Sequence, residues 1–389
     1  MTNRFFHRKK SRGQHPAPLL VPAAHSAGQL TLPVPAAPRQ EWPLYDALRC
    51  AVPVVDAALR KIVRLSGGFR LTADDPAAQA LLDAFAADVP VNGAGSSLQL
   101  FADQMLDSLL TYGNAVGEML TDEDGIPAAL MTAHPRVLLL EPEPDGSCRM
   151  LRCAGDGKPV PLRNPERILF AALDPPAGSA CGVSVLRGLP AVADILLRIY
   201  DCIGKNYTRA GNVRYAVTYQ PDADAAAFAK DHAKEIAEAW RDGIRAAEYG
   251  EVQDFVAVGH VDIKVIGAEN QLFDTNIPVR QLLEQIVSKL SIPPFLLGFS
   301  WSTTERMSAQ QADILTSELE YFRRLLTPLL RKIGTAVLRG AGFDLVPQVE
   351  WENINLQDET ELAEARLKNA QAAEIELRLR TEEVSLRDD

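Results

Sequence analysis

At 389 residues, 47% apolar and 6% aromatic, the chain has room for roughly two to three domains with cores of their own. Its formal net charge of −11 argues against a protein that grips DNA by neutralising phosphates, since such proteins are basic and draw affinity from counterion release; a protein that surrounds a duplex without holding it stays open. No run approaches the ~20 apolar residues needed to cross a bilayer, and MTNRFFHRKKSRGQ has positive charge without the apolar run of a secretory signal, so no membrane partner and a cytoplasmic place of synthesis are expected.

Residues 1–40 are rich in Pro, Ala, Gly and Ser and read as a disordered arm. Its basic segment, Arg4, Arg8, Lys9, Lys10 and Arg12, reads as a solvated tail or, alternatively, as a contact site. Order is expected from Trp42. The run LYDALRCAVPVVDAALRKIVRLS has helical spacing on both sides of Pro53 and stops at Gly67-Gly68. Asp74-Asp75-Pro76 signals the start of a second helix. SLQLFADQMLDSLLTYGNAVGEML predicts another, whose period changes at Gly113 into a strand through Val116, Glu118 and Leu120. Asp124-Gly125 and Asp145-Gly146 mark hairpins, with Ala129, Met131, Pro135, Val137 and Leu139 in short strands and PERILFAAL closing an antiparallel meander.

Further along, a helix is predicted over Pro190–Ala210, then a strand VRYAVTY, a charged amphipathic helix Asp224–Arg245, and strands DFVAVG and VDIKVIG. A long helix follows Asn270 and runs through Gln281 to Leu290; Pro293 and Pro294 stop it. The next segment, Gly298 to Met307, is polar: Ser300, Ser302, Thr303, Thr304, Glu305 and Arg306 surround Trp301. It reads as an ordinary interhelical loop or as a surface for a moving polymer. A helix from Ser308 to about Leu338, kinked at Pro328, a strand LVPQVEW and an acidic-basic helical tail from Asp358 complete the pattern.

Signals for catalysis fail one by one. Gly178-Ser179-Ala180-Cys181-Gly182 has the outer glycines of a nucleophile elbow with Ala180 in the serine position. Gly93-Ala94-Gly95-Ser96-Ser97 lacks the third glycine of a dinucleotide fingerprint, and no G-x-x-x-x-G-K-[ST] occurs. His134 and His260 read as structural, and Glu118 with Asp122 as solvated acids. The cysteines Cys50, Cys148, Cys153, Cys181 and Cys202 form no C-x-x-C pair and no zinc-type spacing with histidine, so reduced thiols are expected, with no metal, cofactor or catalytic residue.

Four ordered segments carry a resemblance. They are YGNAVGEM (Tyr112–Met119), PERILF (Pro165–Phe170), Gly182-Val183-Ser184-Val185-Leu186 leading into a helix that ends Asn206, Tyr207, Ala210, Gly211, and SKLSIPPFLLG (Ser288–Gly298). Together they resemble the portal proteins of long-tailed bacteriophages, over about residues 42 to 386. Two departures stand out: Val185 replaces the usual Pro, and the ionisable residue common after the PERILF-type strand is missing.

The resemblance implies an α+β phage portal fold with wing, helical stem, small α/β clip and short helical crown, assembled as a twelvefold ring. The implied layout is arm 1–40, wing 41–189, first stem helix 190–211, clip 212–267, second stem helix 268–291, tunnel loop region 292–307, long helix and wing strand 308–357, and crown or tail 358–389. Each stem helix would span roughly 30 Å at 1.5 Å per residue. The implied function is a channel for double-stranded DNA at one capsid vertex of the virion, docking the terminase large subunit and later the head-tail adaptor, beside capsid and scaffold proteins. DNA would pass the loop Ser300, Trp301, Ser302, Thr303, Thr304, Glu305 and Arg306; terminase and adaptor would meet Arg214, Tyr215, Asp254, His260, Asp262 and Lys264. The clip is too small to bury a large core alone, which by itself favours pairing with neighbours in a closed ring. A ring-forming portal of a gene-transfer particle or defective prophage remains an alternative, and a hydrolase the rival class.

Overall fold

The computed structural model describes residues 38–143, 148–153, 158–211, 214–220, 229–248, 260–266, 274–299, 305–354 and 371. The chain divides into two compact units, one drawn from Met1–Ala193 and Leu283–Asp389, the other Asp194–Leu282. The first opens with α1 (Pro38–Ala51) and α2 (Pro53–Leu65). One helix was expected across Pro53 and two are found. Val52, extended at φ −120° and ψ 90°, separates them, because a residue before proline is disfavoured in helical conformation while Pro53 suits a first turn. Helix also begins at Pro38, inside the expected arm. Val55, Ala58, Leu59 and Ile62 of α2 are buried, and Arg60 and Arg64 face solvent.

After β1 (Phe69–Thr72), α3 (Pro76–Asp88) starts where the sequence signals it: the Asp75 carboxylate accepts from the Ala77 and Ala78 amides at 2.8 and 2.9 Å. The hairpin β2 (Pro90–Val91) and β3 (Gly95–Ser96) uses the Gly93 region as its turn, which removes the dinucleotide reading. The unit centres on α4 (Leu98–Tyr112), whose Phe101, Met105, Leu106, Leu109 and Leu110 are all buried.

Gly113 ends α4 in the left-handed region, φ 74°, and β4 (Asn114–Thr121) begins at once. The Asp122 carboxylate accepts from the Asp124 and Ile126 amides, fixing the turn into β5 (Pro127–Ala133). The expected single meander is instead two sheets. Pro135–Val137 forms a 3-10 turn, not a strand, and separates β5 from β6 (Leu138–Pro142), β7 (Cys148–Cys153) and β8 (Pro159–Pro161). Those three form one sheet, while β9 (Ile168–Ala172) returns to β4 in a five-stranded sheet of order β3-β2-β5-β4-β9. Nor is that sheet wholly antiparallel, since β2 runs parallel to β5.

Two glycine-containing segments then cross at contact distance. The Leu173 amide donates to Gly113 O at 2.8 Å, and Val183 N–H to Leu173 O at 2.7 Å. Asn114, 2% exposed, accepts at Oδ1 from the Gly182 amide, 2.9 Å. The Ser184 hydroxyl donates to Thr111 O at 2.7 Å. A Cβ on Gly113 would sit 2.5 Å from the Val183 carbonyl carbon, and one on Gly182 would collide with Gly113 O.

From this crossing α5 (Leu189–Gly211) leads into the second unit, which holds β10 (Arg214–Gln220), α6 (Ala229–Glu248), β11 (His260–Ile266) and the start of α7 (Asn276–Lys289). At 1.5 Å per residue α5 is roughly 34 Å long and α7 roughly 21 Å, so the second expected stem helix is the shorter. Most of the expected strand DFVAVG lies outside the described residues.

Back in the first unit, α8 (Glu305–Gly340) is one 36-residue helix. It starts before the expected Ser308, and Pro328, exposed on its surface, does not end it. Leu315, Leu319, Leu326, Leu330 and Ile333 are buried along one stripe. The β12 strand (Gln348–Trp351) pairs antiparallel with β1. Arg323, buried on α8, donates from Nε to Ser66 O at 2.7 Å and lies 5.1 Å from the Trp351 ring centroid, so one cation joins α2, α8 and β12.

Gly113→Ala combines a strained φ with a backbone collision. It is expected to destabilise the first unit by about 3 kcal/mol or more, read as a large drop in the thermal or urea midpoint; a midpoint within 1 °C of the parent would overturn the role assigned to this crossing.

Candidate functional site

The polar segment between α7 and α8 is held by two left-handed residues. At the end of α7, Ser291 takes φ 52° while Ile292 N–H bonds back to Val287 O at 3.4 Å. This is the six-to-one closure of a Schellman cap, with buried Ile292 as its apolar contact. Pro293 extends the chain, and Pro294–Leu297 forms a 3-10 turn that packs on α2. Gly298 closes that turn at φ 81°. Ser300, Trp301, Ser302, Thr303 and Thr304 lie outside the described residues. Glu305 and Arg306 are not loop residues: with Met307 they form the first turn of α8, which shortens the expected loop at its C-terminal side.

In the second unit β10 and β11 pair antiparallel, with Arg214 opposite Ile266, Ala216 opposite Lys264, Thr218 opposite Asp262 and Gln220 opposite His260. Alternation along the strands places positions 214, 216, 218, 220, 260, 262, 264 and 266, with Ala216 and Ile266 among the polar residues, on one face and 215, 217, 219, 261, 263 and 265 on the other. Of the six expected clip contacts, Arg214, His260, Asp262 and Lys264 therefore share a polar face. Tyr215 falls on the opposite face, and Asp254 lies outside the described residues. Among the described residues α6 makes extensive contact with no other element, and its Ile236 and Trp240 are only half-buried.

A polar cluster that the sequence did not disclose sits between α1, α2 and α4. Arg49 reaches Asp56 at 2.7 Å and Asp107 at 2.8 Å, and donates to the Thr111 hydroxyl at 2.6 Å. Burial works to raise the Asp56 carboxyl, but hydrogen bonds from Arg49 and Arg60 hold it below the usual carboxylate range. Beside this cluster runs an open groove lined by Arg60, Lys61, Arg64, Leu296, Leu297 and Phe299 among others. The break at Val52, invisible to periodicity, is what brings Arg49 over Asp56.

The former catalytic candidates have structural duties. Asp122 caps a turn, and Glu118 is exposed on β4. His134 stacks at 4.4 Å from Tyr112 and 5.6 Å from Trp42, centroid to centroid, and accepts at Nδ1 from the Arg136 amide at 3.0 Å. Burial, then the Arg136 charge, push its pKa below the ordinary 6.5. Among the described residues no cluster of His, Cys, Asp and Glu could hold a metal ion, and no helix is long and apolar enough to cross a membrane.

No family model matches the sequence, and no curated protein matches it either. Solved structures do. A chain in the neck of a native gene transfer agent particle with C12 symmetry superposes with a TM-score of 0.60 at 15% identity, covering 85% of this chain and 89% of that one. A chain in the neck of the empty particle with C6 symmetry gives 0.61 at 16% identity, covering 85% and 88%. An HK97 family phage portal protein from Corynebacterium diphtheriae aligns over 79% of this chain and 94% of its own, with a TM-score of 0.42 at 13% identity. The fold is thus the α+β fold expected from the resemblance.

Two outcomes follow. Ser291→Gly relieves a left-handed conformation that costs a side chain about 1 kcal/mol, so the first unit's melting temperature should rise by about 2–4 °C; a fall would contradict the cap. For His134, a folded pKa below the unfolded value means that the unfolded state takes up the proton first. Stability is therefore full above pH 6.5 and declines as pH falls through that value toward the folded pKa. Melting curves between pH 8 and pH 5 should show this slope reduced in His134→Phe, and an unchanged slope would remove the assignment.

Proposed function

We propose that the chain is a ring-forming portal subunit: a channel for double-stranded DNA at one vertex of a capsid, with a mechanical rather than a chemical role. The observation that carries this is the apolar surface of the second unit. Ile195, Tyr200, Tyr207 and Ile277 are 52%, 43%, 64% and 62% exposed, and no residue described from Leu197 to Thr208 is buried. Add a two-stranded ribbon with one apolar face and an amphipathic α6 that makes extensive contact with no other element among the described residues, and the unit is one that neighbouring copies would complete. The fold shared with a chain of a C12-symmetric particle neck supports twelve copies.

In this reading the segment between Gly298 and Glu305 faces the DNA, and the polar ribbon face with Arg214, His260, Asp262 and Lys264 meets the terminase and then the head-tail adaptor. An acidic ring repels phosphate and lets the duplex slide. Assembly takes place in the host cytoplasm, beside capsid and scaffold proteins, and the ring ends in the virion. A ring serving a gene-transfer particle or a defective prophage is the second reading, favoured by the gene transfer agent necks among the structural matches.

Native mass measurement with electron micrographs of the same peak tests this. The expected particle is a ring of about 510 kDa, twelve copies of the 42.4 kDa chain, with a central hole wider than a duplex. Tyr207→Glu with Ile277→Glu should yield monomers whose first unit melts as in the parent. A compact parental monomer would overturn the proposal.

A further inference from the structure

The groove beside α2 is cationic on a chain that is acidic overall. Lys61 and Arg64 make no ion pair within 4.0 Å among the described residues, and Asp56, the one carboxylate among its lining residues, is already held by Arg49 and Arg60. Leu296, Leu297 and Phe299, all half-buried, form an apolar wall opposite these cations. The groove therefore suits an occupant with several carboxylates and some apolar side chains.

The chain itself delivers such a segment to the end of α2. Beyond β12, Glu352 makes two hydrogen bonds to Gly68, the residue before β1: its amide donates to Gly68 O at 3.0 Å, and its side-chain carboxylate accepts from the Gly68 amide at 3.1 Å. Gly68 follows the last turn of α2, so Glu352 stands at the C-terminal end of that helix. The sequence then reads Asn355-Leu356-Gln357-Asp358-Glu359-Thr360-Glu361-Leu362-Ala363-Glu364, with four carboxylates and no cation. Four extended residues reach about 13 Å, which is the radius around Ile354 open to Asp358. Asp358, Glu359, Glu361 and Glu364 thus offer four carboxylates to the three cations Arg60, Lys61 and Arg64.

We infer that residues 358–364 dock in this groove of their own chain, with carboxylates over Arg64, Lys61 and Arg60 and Leu362 toward the Leu296–Phe299 wall. This contact would clamp the 3-10 turn that carries Gly298 against α2 and so steady one shoulder of the polar segment. It does not depend on the portal reading, since a monomer would make it equally.

Carbodiimide coupling of the full chain, followed by peptide mass spectrometry, tests the inference. Lys61 is the amine in the groove, and the exposed Lys205–Asp201 pair at 2.6 Å is an internal positive control. The expected result is an amide between Lys61 and a carboxylate within 358–364, lost in the Asp358→Asn, Glu359→Gln, Glu361→Gln, Glu364→Gln variant while the Lys205–Asp201 link persists. Protein reassembled from equal parts of light and 15N-labelled chains should give light–light and heavy–heavy pairs only. Mixed pairs in statistical proportion would overturn the same-chain assignment in favour of a neighbour's segment. Absence of any Lys61 link to 358–364, with the control link formed, would overturn the docking itself. Native mass on the same samples reports ring formation separately.

Discussion

Everything in the first unit hangs on the crossing of Gly113 and Gly182, where two backbones lie closer than any side chain permits. A positive φ at Gly113 turns a buried helix directly into a buried strand, and the orphaned polar groups of that turn are paired by Asn114, Ser184 and the Leu173 amide. Burying such groups unpaired would cost about 1–3 kcal/mol each. With them paired, α4, β4, β9 and the approach to α5 take a single arrangement. It also gives physical content to the resemblance: the Gly-Asn-Ala and Gly-x-Ser segments, about seventy residues apart in sequence, are the two halves of one contact.

The two units rest on different balances. The first buries a stripe of leucines along α8 and the apolar side of α4, and it fastens its ends with side chains that reach across the sequence, Arg323 to Ser66 and Lys332 to Ile168. In the second, Ile195, Tyr200, Tyr207 and Ile277 are exposed, and among the described residues α6 makes extensive contact with no other element. Hydrophobic burial dominates the free energy of folding, so the second unit would draw part of its order from association, as oligomers commonly do.

Much of the first unit was legible because its signals are local. The Asp75 cap, the change of period at Gly113 and the turn at Asp124-Gly125 each depend on residues within a few positions, and each is where it was expected. What was missed depends on distant chain segments. Neither the pairing of β12 with β1, fixed by Gly68 and Glu352 at a separation of 284 residues, nor the parallel placement of β2 beside β5 leaves a trace in periodicity. The strand read through Pro135 and Val137 failed because a 3-10 turn and a strand share short apolar runs. At the candidate site, the alternation of VRYAVTY and HVDIKVI already contained the polar and apolar faces, yet only the register showed that His260, Asp262 and Lys264 share a face with Arg214. Arg49 gave no signal, since its partners assemble only after the chain breaks at Val52.

The closed caps at Ser291 and Gly298 carry a mechanical consequence. Because Gly298 ends a 3-10 turn and Glu305 begins α8, the backbone between them is fixed at both ends. Fully extended, the steps from Gly298 to Glu305 add up to about 25 Å, so no atom of that backbone can stand much more than about 12 Å from its moorings. What this segment can touch is thus decided first by where α7 and α8 place its two ends.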